Sequence, residues 1–127
     1  MGATALVSEE IAAGQHVVRA LDAAGFPVTA AFWLYSGDVD RWKLWIATPR
    51  AGVDLQKAFL SVGEILSELA DGAILDLSRI RLAKPADPTV RAIGSLVRVK
   101  GLSDVRLRSN VANGIYIEDA LIYRTAA

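Results

Sequence analysis

Apolar positions along this chain fall into segments that alternate between helical and extended spacing. The first is helical, over about Glu9–Ala24. Gly14, Val17, Val18 and Leu21 share one side of it, and His16 and Arg19 the other. Ser8 fits the N-cap, Glu9 and Glu10 suit the positive end of the helix dipole, and Gly25 and Pro27 stop the helix. Phe26–Pro49 then reads as a β-hairpin, with two aromatic and aliphatic runs around the polar turn Ser36-Gly37-Asp38-Val39-Asp40-Arg41. Its first strand is apolar on both faces: Val28, Ala30, Phe32 and Leu34 on one, Ala31, Trp33 and Tyr35 on the other. Setting Tyr35 opposite Trp42 pairs Trp33 with Leu44 and Phe32 with Trp45.

A second helix follows over about Leu55–Ala70, with Asp54 as N-cap and Gly72 as its stop. Leu55, Ala58, Phe59, Val62, Leu66 and Leu69 form its stripe. From Ala73 to Leu82 the apolar phase slips. That predicts a bulge, or a short turn before a strand at 79–83. Lys84-Pro85-Ala86 is a loop, and Asp87-Pro88 opens a third helix that carries Val90, Ile93, Leu96 and Val97 to a stop at Gly101. A second hairpin closes the chain. Val105–Val111 turns through Asn113-Gly114 into Ile115–Tyr123, pairing Arg108 with Asp119, Ser109 with Glu118 and Val111 with Tyr116. Each helix holds an interior glycine near its apolar side (Gly14, Gly63 and Gly94), which costs about 1 kcal/mol against alanine and implies close packing there.

The expected fold class is α+β. Residues 1–127 form one domain with a mostly antiparallel five-stranded sheet and three helices, in the order α-β-β-α-β-α-β-β, after a flexible stretch at 1–7. The composition agrees: at 127 residues, with 53% hydrophobic and 22% charged, the chain has the means to build a core. There is no cysteine, so thiolate metal sites and cysteine nucleophiles are excluded, and a reducing compartment fits. The first residues lack the basic start of a secretory signal, and no apolar run has the length of a membrane span. A cytoplasmic protein without membrane partners is the expectation.

Formal net charge is zero, but it is unevenly spread. Residues 1–72 hold 5 basic and 9 acidic side chains, and residues 73–127 hold 9 and 5. Within 79–108 the candidates for an anionic partner are Arg79, Arg81, Arg98, Arg106 and Arg108. Aromatics lie mostly in 26–59, apart from these basics, which weakens a nucleic-acid reading but leaves it as the alternative.

Catalytic signatures are missing. There is no phosphate loop and no nucleophile elbow, and the single histidine, His16, falls on a solvent side. No catalytic residue, metal site or cofactor is assigned. Asp38 and Asp40 read as turn residues that bond their own backbone. Glu118 is the exception. The hairpin register places it on a core-like face with Val105, Leu107, Ala120 and Ile122, as a possible buried acid. The function expected is that of a small bacterial-type interaction or accessory module without a catalytic centre, bound to a protein partner or to itself. Three short helices placed on one side would leave an aromatic sheet face open. Trp33, Tyr35, Trp42 and Leu44, or Trp45 on the opposite face, are then the interface of a homodimer.

Overall fold

A computed structural model of the chain describes residues 5–68 and 77–125. The elements appear in the expected order. Helix α1 spans Ser8–Ala23, strands β1 and β2 span Ala30–Ser36 and Arg41–Ala47, and helix α2 spans Leu55–Ser67. Strand β3 (Ile80–Ala83), helix α3 (Pro88–Leu96) and strands β4 (Val105–Ala112) and β5 (Ile115–Arg124) complete the fold. Short 3₁₀ turns at Pro49–Gly52 and Leu77–Arg79 lead into α2 and β3. The second of these is the short turn that the phase slip predicted.

Helix boundaries show which end signals act. Asp54 caps α2 by accepting from the Lys57 amide at 3.0 Å, and Asp87 caps α3 by accepting from the Thr89 amide at 2.8 Å. In α1 the cap is Val7, not Ser8. Its amide donates to the Glu10 carboxylate at 3.1 Å, so the acid three residues on, not a hydroxyl, satisfies the helix start. Gly101 has a φ of +77°, yet α3 has already ended at Leu96, so that glycine shapes a later turn. The Gly72 stop lies outside the described residues. Of the stretch 1–7 expected to be flexible, residues 1–4 lie outside the described residues, while Leu6 is buried in the core.

The five strands form one sheet in the order β3-β2-β1-β5-β4, antiparallel throughout except for the parallel β2–β3 pair. Both hairpin registers are those read from the sequence: Tyr35 faces Trp42, Trp33 faces Leu44, Phe32 faces Trp45 and Val111 faces Tyr116. β1 is central, and its two-faced apolarity has a direct cause, because both faces of the sheet are covered. Helices α1 and α2 pack Val17, Val18, Leu21, Val62 and Leu66 on the face that carries Trp33, Leu44 and Tyr123. Helix α3 packs Val90 and Ile93 on the opposite face, over Phe32, Ala120 and Ile122.

That arrangement corrects the expected open face. Trp33, Tyr35, Trp42 and Leu44 are all buried beneath α1 and α2 and form core, not a dimer surface. The elements are tied together through them. The Trp33 indole Nε1 donates to the Tyr123 hydroxyl at 2.9 Å, and that hydroxyl donates to the Ile11 carbonyl of α1 at 2.6 Å. A chain of two bonds thus joins β1, β5 and α1.

Candidate functional site

Helix α3 is only nine residues long, so it covers only part of its sheet face. Toward the tips of the two hairpins the sheet is open. A cup of about 510 Å³ lies there, with a floor of Leu34, Trp45, Ile115 and Ile117. One wall comes from β2 and β3 and carries Arg41, Lys43 and Arg81; Asp38 and Glu118 stand elsewhere on the lining. Val39 and Tyr116, at the two hairpin tips, also line it, and both are well exposed.

Strand alternation and register put these groups in the cup. Lys43 and Trp45 are two residues apart on β2 and point to the same face. Trp45 pairs with Phe32 of β1 on one side and with Arg81 of β3 on the other. This makes a cross-strand row on one face. The Phe32 and Trp45 rings stack at 5.7 Å with an 18° angle between planes, and the Arg81 guanidinium lies 4.6 Å from the centre of the Trp45 ring. Phe32 is fully buried, Trp45 half-buried and Arg81 exposed, so the stack runs from core to solvent. Among the described residues no carboxylate forms an ion pair with Arg41, Lys43 or Arg81. Opposite charges therefore line one cup without joining each other.

The turn beside the cup is held rigid. Tyr35 donates its hydroxyl to Asp40 at 2.6 Å, and Asp40 adopts a positive φ of 49°. That hydrogen bond, then burial, then the Asp40 and Glu118 charges push the Tyr35 hydroxyl up to about 12. The Glu118 carboxylate sits against the backbone of the same turn, with its Oε1 2.6 Å from where a side chain on Gly37 would begin. No cluster of metal-binding side chains occurs among the described residues.

Glu118 is exposed and is not a buried acid. The expected face fails at one residue. Val105 and Leu107 of β4, with Ala120 and Ile122 of β5, do face the α3 side. Ser109, which the register sets opposite Glu118, then takes a positive φ of 52°, and past this kink Ile117 and Ile115 take the α3 side instead. A left-handed residue in a strand breaks the two-residue alternation, and nothing in a serine announces it.

The five arginines proposed for an anionic partner do not converge. Arg79 pairs with Glu10 at 2.7 Å, donates to the Trp42 carbonyl at 3.2 Å and covers the Trp33 ring, so it belongs to the α1 side. Arg106 forms a bidentate pair with Asp119 at 2.7 and 2.8 Å, which raises its already high pKa. Arg108 reaches the same Asp119 at 3.6 Å, and Arg98 is an exposed residue after α3. Arg81 alone of the five enters the cup. Lys43 and Arg41 were missed because they sit in the acidic half of the chain. Their alternation with Trp45 on one strand face was the available signal.

No helix among the described residues is long and apolar enough to cross a membrane. The chain has no significant match to any family model, curated protein or solved structure.

Proposed function

We propose that the protein is a binding module that takes a segment of a partner polypeptide into the cup between its hairpin tips. One observation carries the reading: an apolar floor with both signs of charge around it and no ion pair between them among the described residues. Concave sites with apolar floors and a few placed polar groups are the usual form of a binding pocket. Mixed charge suits a polypeptide, whose side chains can carry both signs. It suits nucleic acid poorly, because a uniformly anionic backbone would meet Asp38 and Glu118 as well as the cations. The concavity also weighs against a homodimer closed cup to cup, since two hollows do not fill one another.

The test is selection from a displayed peptide library against the intact domain, followed by titration of the selected peptides. Tyr116→Ala and Lys43→Glu change exposed residues and leave the core alone. Each is expected to weaken peptide binding by about tenfold, as loss of an interface anchor does. Peptides that bind both variants as well as the parent would overturn the reading. So would a concentration-dependent dimer in light scattering that shields Trp45 from a soluble quencher. Salt-sensitive binding of DNA or RNA through Arg81 would favour the nucleic-acid alternative instead.

A further inference from the structure

Resting on that reading, we infer that the Phe32–Trp45–Arg81 stack, with Lys43 beside it, is a carboxylate receptor, and that the segment the cup takes is acidic at this point. A guanidinium is a planar fork of donors that matches a carboxylate with two parallel bonds. Most surface arginines reach such a geometry only by freezing a long, mobile side chain, which costs rotamer entropy. Here much of that ordering is already in place. The guanidinium lies 4.6 Å from the Trp45 ring centre, and that ring is itself fixed by stacking on buried Phe32 at 5.7 Å. The guanidinium is held over the ring, and no carboxylate among the described residues takes its N–H groups.

The charges around the stack agree. Lys43 projects from the same strand face two residues before Trp45, and no carboxylate of the described residues is within ion-pairing distance of either cation. Arg79, only two residues before Arg81, shows the contrast. It too covers a tryptophan ring, at 5.2 Å, but its N–H edge is already occupied by Glu10. Arg79 is a completed version of the arrangement that Arg81 leaves open. Asp38 and Glu118 elsewhere on the lining exclude a polyanion, so the receptor takes one acidic side chain and not a phosphate chain.

The stack carries its own reporter. Trp33 and Trp42 are buried, so collisional quenching of tryptophan fluorescence reads Trp45. At constant ionic strength, iodide is expected to quench the intact protein about threefold better than caesium, relative to the same ratio for N-acetyltryptophanamide, because local positive potential concentrates anions. In the Arg81→Gln, Lys43→Gln double variant that preference is expected to disappear. An identical iodide-to-caesium ratio in both proteins would overturn the inference. A second arm uses the selected peptides. They are expected to share an Asp or Glu whose replacement by Asn or Gln weakens binding to the intact protein about tenfold, and to Arg81→Gln less than twofold. Peptides that depend on Tyr116 but carry no acidic residue and ignore Arg81 would overturn the acidic docking while leaving the binding-module reading in place. An iodide preference without any cup-dependent peptide would overturn the binding-module reading and the acidic segment with it, leaving only exposed cations beside Trp45.

Discussion

Gly14 gives the sharpest test of the packing. It lies on the buried side of α1, where a methyl group would begin 2.4 Å from the Tyr123 hydroxyl, 2.7 Å from the Trp33 Nε1 and 2.9 Å from Tyr123 Cε2. Side chains do not approach so closely, and both aromatic residues are fully buried, with no room to retreat. Gly14→Ala must therefore displace the Trp33–Tyr123–Ile11 chain of hydrogen bonds. Overpacking a tight core costs about 1–3 kcal/mol, and a buried polar group left unbonded costs about 1–3 kcal/mol more. Alanine returns about 1 kcal/mol in helix propensity. The net expectation is a loss of about 1–5 kcal/mol, within reach of urea denaturation followed by tryptophan fluorescence. In a Tyr123→Phe background the closest clash is gone, so the same substitution is expected to cost about 1–2 kcal/mol less, a coupling that a double-mutant cycle isolates. Gly94 is the control. A methyl group there would come no nearer than 3.8 Å to the Thr125 carbonyl, so Gly94→Ala is expected to stabilise by about 0.5–1 kcal/mol. A neutral or stabilising Gly14→Ala would refute the reasoning.

Two further outcomes can be checked by unfolding other variants. The Tyr35 hydroxyl is raised in the folded state from 10.0 to about 12, so the unfolded chain releases its proton first; stability is intact below pH 10 and falls as pH rises toward 12, and Tyr35→Phe is expected to flatten that part of the profile, with an unchanged slope counting against the Asp40 bond. Arg79→Ala is expected to cost about 1–2 kcal/mol, through its part-exposed Glu10 pair, its bond to the Trp42 carbonyl and its cover of Trp33, whereas Arg81→Ala changes stability by less than about 0.5 kcal/mol; equal effects in thermal unfolding would erase the distinction between the two.

The parts of the fold legible in the sequence are those set by neighbours in the chain. Asn113-Gly114 and the turn around Gly37 each constrain a local pairing, which is why Tyr35–Trp42 and Val111–Tyr116 face each other as read. Asp54 and Asp87 announce their helices for the same reason. What depends on distant partners was not legible. β1 pairs with β5 across some ninety positions, and β3 joins β2 in parallel; no local pattern encodes either. The dimer surface was misplaced because two-faced apolarity in β1 fits an exposed strand and a central one equally. Only the division of helices, two on one side and one on the other, decides between them. Trp45 survived as a candidate because the packing on the α3 side leaves it only half-buried, on the lining of the cup. Of the glycines, Gly14 fits the close packing expected of all three, Gly63 meets only the end of Leu77 at 3.2 Å, and Gly94 has space.

The central place of β1 also governs when the molecule can form. One of its neighbours, β2, follows within a few residues, but the other, β5, comes some ninety positions later. During synthesis the β1–β2 hairpin emerges well before β5. Until β5 is released from the ribosome, the far edge of β1 presents Ala31–Leu34 with unpaired backbone groups and an apolar face on each side. Such an edge is a template for wrong pairings, and closing so long a loop is slow compared with forming a hairpin. Strand β5 therefore acts as a latch. Its docking pairs the open edge of β1 and sets the Tyr123 hydroxyl between Trp33 and α1, so the core is completed only after α2, β3, α3 and β4 have been made.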